Sequence, residues 1–578
     1  MNNQRRSAGL SSPGPFWTLV AHFVRRILSS ETEQAGGALH PSLGAVLAIL
    51  ASPGAFASIL LADKYSPLLQ WLRHQHLDPY RASVSDEYFF VVMSMTITGL
   101  IMILRWNRLF PDRRDFWNLA PLPIEIRNIF LANFLALFGL ALLFAIDVNA
   151  ASAFLFPAIV SLSGHSFGVF LRLVIGHATT VMAASLFSFF SIFALAGLLM
   201  LLVPARLYRL VSICTRLVLV VALLTECLAN LFFQLFAGRV PVESAAYLKF
   251  LPSFWFLGLY ESILGIANPA AAILGNQALL SLCTAILVAI AAYSLCYRRH
   301  FLRLPESLET IGSSTRRFRV SLPESCWALL FRSQFERACY SFALKVLTRS
   351  EQHIMFFGGY LGIGLVIVAQ AAAGSFNQPG QTSVPGSGLI AVPLMLAFFL
   401  ISGLRFAFDI PAALDANWIF QIAVPNPPPE PRAIARKLML MATLPWEVLA
   451  LFPITVRHFG WAVAIGHTGT VIAFTLLFIE LVLVRFRKLP FTCSAQPELK
   501  QLLLRIFGSI FAVLVIVPAL AGIEHWMLIA PWRFTGLAMA LLLAWYLVRR
   551  YRLDMIPMDR TLTFEDRPPA AFELLKLT

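Results

Sequence analysis

Charged side chains are scarce in this sequence: of its 578 residues, 13% are charged and 58% are hydrophobic. Soluble domains carry about a quarter of their residues as charges, so this composition excludes an ordinary soluble protein. The mean hydropathy is +0.74. Apolar runs of about 20 residues recur, which is the length that a helix needs to cross a bilayer. The apolar–polar alternation of a transmembrane barrel is absent from these runs.

Several sequence signatures are missing, and each absence narrows the function. The seven cysteines form no metal-type Cys-x-x-Cys pair, which argues against a zinc site or a disulfide framework. No phosphate-binding G-x-x-x-x-G-K-[ST] sequence occurs, so this chain is not expected to hydrolyse ATP. The first 40 residues lack the apolar core of a cleavable signal. The net charge of +15 is attributed to basic cytoplasmic loops rather than to nucleic-acid binding.

The predicted fold class is all-α: a polytopic membrane protein with about twelve transmembrane helices in two parallel pseudo-repeats of six. The predicted spans are 43–62, 88–104, 129–147, 178–203, 210–236 and 271–296, then 353–372, 388–404, 438–456, 460–484, 503–522 and 532–548. The run from Phe167 to Val203 is too long for one straight span. We therefore expect a short interfacial helix to lead into the fourth span.

Five segments follow from these spans. They are an N-terminal segment with an amphipathic helix (1–42), a first six-span half (43–299), a connector with a second amphipathic helix (300–352), a second six-span half (353–550) and a C-terminal tail (551–578). If the N-terminus is cytoplasmic, the inside segments hold 35 of the 45 Lys and Arg residues. This bias follows the positive-inside rule and predicts that the connector and both termini are cytoplasmic.

An internal repeat is predicted from the segments that follow the second span of each half. Leu104–Asp115 reads L-R-W-N-R-L-F-P-D-R-R-D, and Leu404–Asp415, 300 positions later, reads L-R-F-A-F-D-I-P-A-A-L-D. Leu, Arg, an aromatic residue, Pro and Asp recur at matching positions of the two segments. Because both copies lie between apolar runs, we interpret them as a duplication.

Each copy is predicted to form a short helix between two spans. Proline suits the first position of a helix, where its missing N–H would be unpaired anyway, and aspartate in the first turn favours the helix dipole. The first copy would present to the cytoplasm Pro111, Asp112, Arg113, Arg114, Asp115 and Trp117. The second copy, Pro411 to Ile419, contains Pro411, Asp415 and Trp418. The alternative is a solvated loop with a cluster of positive-inside charges.

Acidic residues inside the predicted spans are candidates for a transport pathway, because charge in a span is costly and faces a bundle interior or a cavity. Glu226 in the fifth span and Glu447 in the ninth are the deepest. His177 and His467 are interpreted as polar packing groups. No metal-binding cluster is predicted.

The arrangement resembles the permease subunits of ABC-2 type exporters: six spans preceded by an amphipathic helix, with a short featured helix between spans two and three. The apolar broken segment Leu251–Gly265 is similar to the re-entrant outer hairpin of that family, and Trp117–Asn133 is similar to its cytoplasmic loop and third-span entry. The resemblance implies a multi-pass protein of the bacterial cytoplasmic membrane, an exporter that contacts membrane lipid and does not bind nucleic acid.

The same resemblance implies that separate ABC ATPase subunits are the partners and contact the loops at Pro111–Trp117 and Pro411–Ile419. ATP and magnesium would then reside on those subunits, and this chain would need no cofactor of its own. The substrate is not identified; an amphipathic or lipid-like molecule is one option. The second half departs from the family pattern, because its outer connection, Gly522 to Arg533, is too short for a full hairpin.

Two other classes of function remain open at this stage. An ion-coupled secondary transporter also uses parallel repeats of six spans, and it would need functional acids near mid-membrane, for which Glu226 and Glu447 qualify. A polytopic transferase acting on a lipid-linked substrate is less favoured. It would need a large outer loop, and only the segment Asp63–Glu87 could serve.

Overall fold

The computed structural model describes residues 15–28, 43–72, 78–110, 119, 123–163, 166–236, 250–266, 268–296, 333–376, 386–412, 414, 417–424, 431–484, 486, 488–493, 508–509, 511–529 and 533–555. The described residues form helices and helical turns and no sheet, so the predicted all-helical class is confirmed. The chain divides into two compact units, Met1–Arg316 and Arg317–Thr578.

Ten helices in the described ranges are long and apolar enough to cross a membrane. They coincide with the first ten predicted spans. Within the predicted eleventh span and just beyond it lies a shorter apolar helix, Ala512–Leu528. The predicted twelfth span lies in a helix, Phe534–Met555, that is not among the ten. A multi-pass membrane protein is therefore supported, whereas the count of twelve is not confirmed.

Unit 1 contains ten α-helices and two short 3₁₀-helices within its described ranges, and we number the α-helices in chain order. They are α1 (Pro15–Leu28), α2 (Leu43–Leu60), α3 (Ala62–Tyr65), α4 (Pro67–Leu72), α5 (Pro79–Leu104), α6 (Ile126–Val160), α7 (Phe167–Leu202), α8 (Ala205–Phe236), α9 (Pro252–Leu264) and α10 (Pro269–Cys296). The predicted amphipathic segment before the first span is α1, which packs against α6. Helix α9 ends at Gly265, whose φ of 74° lies in the left-handed region that glycine favours.

Helix α5 is the centre of unit 1, and it contacts α6, α7, α8 and α9. In its most apolar stretch 72% of the residues are buried, against 11% for the stretch that contains α2. Polar side chains are buried along α5 as well, among them Ser83, Asp86, Glu87 and Ser94. In an apolar membrane such groups belong in the interior of a helix bundle, where other helices supply their partners.

The predicted break in the Phe167–Val203 segment is wrong. Helix α7 is continuous over 36 residues. It contacts α5, α6, α9 and α10, and these contacts favour one continuous helix over an interfacial helix followed by a span. Most of the stability of a helix in a folded protein comes from such packing, which span length alone does not reveal.

Unit 2 contains nine numbered α-helices and two π-turns within its described ranges. They are α11 (Gln334–Arg349), α12 (Glu351–Phe376), α13 (Ser387–Ala407), α14 (Asn417–Ala423), α15 (Pro431–Trp446), a π-turn (Glu447–Leu451), α16 (Phe452–Phe459), α17 (Trp461–Val482), a second π-turn (Ala512–Ile516), α18 (Val517–Leu528) and α19 (Phe534–Met555). Helix α13 is enclosed here as α5 is in unit 1, packing on α12, α17 and α18.

The predicted helix from Pro411 to Ile419 is also wrong in its bounds. Helix α14 begins at Asn417 and ends at Ala423. The backbone N–H of Ala412 donates to the carbonyl of Phe491 at 2.9 Å, which holds the chain after α13 against another loop. Proline at position 411 therefore does not start the helix that its residue type suggested.

Candidate functional site

The residues predicted to contact an ATPase fall largely outside the described ranges. These are Pro111, Asp112, Arg113, Arg114, Asp115, Trp117 and Asp415. In the second copy, Pro411 is half-buried and Trp418 is 58% exposed. An exposed tryptophan on a short helix is available to a partner, whereas the proline is partly covered by its own unit.

The segment after α5 is hydrogen-bonded to other helices of unit 1 by polar groups. Arg26 of α1 donates to the carbonyl of Arg108 at 3.1 Å, and Arg108 donates back to the carbonyl of Arg26 at 2.9 Å. Asn133 of α6 donates to the carbonyl of Leu109 at 3.2 Å and also contacts the hydroxyl of Tyr293 on α10. A displacement of this loop would therefore pull directly on α1, α6 and α10.

The chain that leaves α13 is fastened in a different way. Asp409 lies 2.6 Å from the guanidinium of Arg405 and 2.8 Å from the ammonium of Lys488. The imidazole Nε2 of His353 on α12 lies 3.0 Å from the carbonyl oxygen of Ile410. These contacts tie the loop to α12 and to the segment after α17, so it too is held by its neighbours.

The contacts of Asp409 predict that the stability of unit 2 depends on pH in the acid range. Burial alone would raise the pKa of Asp409, but Arg405 and Lys488 outweigh it and hold the pKa below its usual range. Such a carboxylate stabilises the fold above the pKa of about 3.9 that an unfolded chain has, and this stability is lost as pH falls through the lower folded value. We expect Asp409→Asn to lower the melting temperature at neutral pH and to flatten its decline below about pH 4.

The measurement is thermal unfolding of the purified protein in detergent across the acid range. Asp78→Asn is the matched control, because Asp78 is half exposed and lies 3.9 Å from Arg81. Equal acid slopes in the native protein and in Asp409→Asn would contradict the assignment.

Each of the two predicted pathway acids is bonded to a hydroxyl group, but Glu226 is partly exposed whereas Glu447 is buried. Glu226 of α8 contacts the hydroxyl of Ser253 on α9. Glu447 lies in the first π-turn and is fully buried, and Thr475 of α17 donates to its Oε1 at 2.6 Å. π-Turns are frequent at functional sites. Glu226 belongs to unit 1 and Glu447 to unit 2.

A denser polar group surrounds the start of α5. Within it, Glu87 and His177 form a fully buried pair, with Glu87 Oε2 2.6 Å from Nδ1 of the imidazole. The adjacent Asp86 accepts from Lys64 at 2.7 Å and from Tyr65 at 2.5 Å. Tyr260 of α9 donates to Ser83 at 3.0 Å. These polar contacts converge on Ser83, Asp86 and Glu87, in the second and third turns of α5.

The polar contacts continue from this pair into the bundle. His177 Nε2 lies 3.2 Å from Ser152 Oγ, and Ser152 donates to the carbonyl of Asn149 at 3.0 Å. Asn149 donates to Ser185 at 3.0 Å, and Ser185 shares a short hydrogen bond with Ser94. From residue 87 to residue 94 this line covers about 10 Å of helix at 1.5 Å per residue. It is a buried polar path between α5, α6 and α7.

Unit 2 contains a similar buried pair. Glu524 of α18 is fully buried, and its Oε1 lies 2.7 Å from Nδ1 of His467 on α17. Its other carboxylate oxygen, Oε2, and Oε1 of Glu87 have no hydrogen-bond partner among the described residues. Each unit therefore buries one histidine against one carboxylate that is incompletely bonded.

The sequence analysis interprets both histidines as packing groups, but the sequence also contains a repeated motif around them. Ile175–Leu186 reads I-G-H-A-T-T-V-M-A-A-S-L, and Ile465–Leu476 reads I-G-H-T-G-T-V-I-A-F-T-L. Seven of these twelve positions are identical, at a spacing of 290 residues. A search for internal repeats along the whole chain would have found this motif, which is more alike than the pair of segments around Pro111 and Pro411.

Comparison with known proteins gives no match: no family model matches this sequence, and no curated protein or solved structure does. Function must therefore be inferred from the residues and their geometry.

Proposed function

We propose that this chain is the membrane-spanning permease of an ABC-2 type exporter, with two six-span halves fused and with separate ATPase subunits as its energy source. The observation that carries the proposal is that hydrogen bonds and ion pairs connect the loop after the second span of each unit to neighbouring helices or loops. In unit 1, polar contacts of Arg108 and Leu109 link that loop to α1, α6 and α10. In unit 2, Asp409 and Ile410 link it to α12 and to Lys488. A loop held in this way passes a push from a cytoplasmic partner on to several helices.

The proposal includes the internal duplication, and a third sequence match supports it. Glu261 is followed after five residues by Ile266, and Glu524 is followed after five residues by Ile529. In both places Ala and Pro come next, with one extra Asn in the first copy. Together with the I-G-H motif and the loop segments, this gives three matches in the same order along both units. The order amphipathic helix, first span, enclosed second span also recurs in both units.

Helix α9 is the remaining support from the fold. It is a separate apolar helix between α8 and α10, and it packs along α10 and α7. A short helix folded back against the bundle is what the re-entrant hairpin of an ABC-2 permease would contribute. The preceding residues 237–249 lie outside the described ranges. The substrate, in this proposal, is a molecule that enters a path between the spans from the cytoplasmic membrane or the cytosol.

The test is charge reversal in the first loop. Arg113→Glu with Arg114→Glu should reduce co-purification of the ATPase by about tenfold or more, because loss of charge-assisted hydrogen bonds costs about 1.5–3 kcal/mol. Insertion into the membrane should be unchanged. The matched control is Ala412→Glu with Ala413→Glu in the second loop, where no charged contact is lost. If the variant with Arg113→Glu and Arg114→Glu binds the ATPase as well as the native protein does, the proposal is wrong.

An ion-coupled secondary transporter is the second candidate, and the buried acids favour it. Asp86, Glu87, Glu447 and Glu524 are each at most 2% exposed. The two candidates differ in their energy source. In ATP-free vesicles containing the purified chain, a carrier would move protons or another ion down an imposed gradient, whereas an ABC permease without its ATPase would not.

A further inference from the structure

We propose that the buried polar path between α5, α6 and α7 contains a binding site for one water molecule, formed by Glu87, Asn149 and Thr180. The water would bridge one oxygen atom from each of these three helices. This inference rests on buried polar atoms and not on the proposed ATPase coupling, so either one can fail without the other.

Three buried polar atoms of unit 1 carry the argument. Oε1 of Glu87, Oδ1 of Asn149 and Oγ1 of Thr180 have no hydrogen-bond partner among the described residues. The three residues are at most 3% exposed. A buried polar atom without a hydrogen bond costs free energy, and native proteins pair nearly all such atoms with protein groups or with ordered water. A ligand that supplies these bonds is therefore expected.

The hydroxyl of Thr180 is not bonded to its own helix. A threonine inside a helix commonly donates to the carbonyl three or four residues earlier. The neighbouring Thr179 donates in this way to Gly176 at 3.1 Å. Thr470, which occupies the position of Thr180 in the repeated I-G-H motif, donates to the carbonyl of Gly466 at 3.0 Å. Because Thr180 makes no such bond within the described ranges, its hydroxyl remains able to bond a ligand inside the bundle.

The hydrogen bonds between α6 and α7 place Asn149 and Thr180 in one layer of the bundle. Ser152 Oγ lies 3.2 Å from Nε2 of His177. Asn149, one turn before that serine on α6, donates to Ser185, about two turns after the histidine on α7. The two helices are thus antiparallel here. Thr180 lies along α7 between these two contacts.

Glu87 reaches the same layer from α5. Its Oε2 lies 2.6 Å from Nδ1 of His177, which precedes Thr180 by three residues on α7. Side chains three residues apart on a helix are neighbours, with about 5–6 Å between their Cβ atoms. The free oxygen of Glu87 and the hydroxyl of Thr180 are beyond direct hydrogen-bond distance of each other. A bridging water joins polar atoms at such a separation.

The chemistry of the three atoms fits water better than a metal ion. A buried water typically makes about three hydrogen bonds. It can donate to the oxygens of Glu87 and Asn149 and accept from Thr180, and it can reverse a bond where a partner carries the proton. The site therefore does not depend on the protonation of the Glu87–His177 pair. Calcium takes about six to eight oxygen ligands and magnesium about six, whereas this cluster offers one oxygen from each of three residues.

The test is pulsed X-ray radiolysis of the full-length protein in lipid vesicles, followed by mass spectrometry, because a buried water that is ionised oxidises the side chains beside it. Phe156 is 0% exposed, and its ring centroid lies 5.1 Å from that of His177. Phe193 on α7 is the matched control, because it is 1% exposed and packs on the rings of Phe110 and Tyr293. We expect Phe156 to be oxidised several-fold faster than Phe193. Equal rates would overturn the inference.

Thr180→Val keeps the shape of the side chain and removes its hydroxyl. We expect it to abolish the faster oxidation of Phe156 and to lower the thermal unfolding midpoint by about 2–4 °C, the shift that loss of one hydrogen bond causes in a domain of 150–250 residues. Thr180→Ser keeps the hydroxyl and should keep the oxidation of Phe156. If the hydroxyl has no ligand, valine removes an unpaired polar group and the midpoint rises, which would contradict the proposal. If Thr180→Val does not fold, the oxidation rates in the native protein still decide the question.

A cation arm completes the test. Replacing sodium by choline in the buffer should leave the unfolding midpoint and the oxidation of Phe156 unchanged. A midpoint that rises with sodium or potassium in the native protein, but not in Thr180→Val, would assign this site to a cation and overturn its assignment to water.

Discussion

Replacing Gly258 by valine is expected to push α9 away from α10 and to destabilise unit 1 by about 3 kcal/mol, near the upper end of what overpacking costs. A Cβ atom at this position would lie 2.6 Å from Leu274 Cβ and 2.7 Å from the carbonyl oxygen of Ala271. The second of these atoms is backbone, so no side-chain rotation can relieve the clash. Small residues allow such close approach between helices in membranes, and Gly275 approaches the Gly258 carbonyl from the other side.

The measurement is the thermal unfolding midpoint of the detergent-purified protein, with elution volume as a check on aggregation. Gly139→Val on α6 is the matched control, because a Cβ there meets no described atom within 4 Å. Gly258→Ala should fall between the native protein and Gly258→Val. Equal midpoints for Gly139→Val and Gly258→Val would show that α9 does not pack on α10 in this way.

The second large effect is expected from His467→Leu, which removes the imidazole that lies 2.7 Å from Glu524 and leaves the Glu524 carboxylate buried. Breaking a buried pair by deleting one member costs about 3–5 kcal/mol, because an uncompensated charge remains. Glu524 is 0% exposed, so water does not reach it without a movement of α18. The expected result is a large loss of thermal stability, with unit 2 the first to unfold.

Two further variants separate this effect from a loss of packing. His467→Leu combined with Glu524→Leu removes both members and should recover most of the stability, since a buried pair can be replaced by apolar residues at little cost. His458→Leu controls for the change of residue type at an exposed position of α16. If the double variant is no more stable than His467→Leu, then Glu524 and His467 are not coupled in the folded protein.

The helical membrane class could be predicted because it depends on composition and run length. The first ten apolar runs all correspond to helices that can span a bilayer. Their ends could not be predicted as well: α6 runs to Val160, and α7 begins at Phe167. Hydropathy falls at the polar edges of a span, whereas helix ends are set by capping and by contacts with neighbouring helices.

The polar sites were less predictable for a related reason. Glu226 and Glu447 were identified because each is a lone acid in an apolar run, and both have buried hydroxyl partners. The pairing of His177 with Glu87 joins residues 90 positions apart, and no local pattern indicates such a contact. Glu87 lies just outside the predicted second span, and an acid outside a span gives no sign that it is buried. The repeated I-G-H motif was the available clue.

The loop predictions failed where tertiary contacts override local propensity. Pro411 has the residue type that begins helices, yet Ala412 is bonded to Phe491 and the helix starts at Asn417. Phe491 itself has a φ of 68°, which is rare outside glycine, and its side chain is 1% exposed. The first copy, from Pro111 to Trp117, remains a sequence prediction.

The lengths of α6 and α7 place a demand on the bilayer. At 1.5 Å per residue these helices are about 54 Å long, whereas the hydrocarbon layer is about 30 Å thick. Tilting a rod of that length by about 40°, the upper limit for membrane helices, still leaves it taller than the hydrocarbon by about 10 Å. Their joined ends expose Phe154, Leu162 and Phe167. Each helix is therefore longer than the hydrocarbon layer requires, and it extends into the headgroup region on at least one side of an ordinary bilayer.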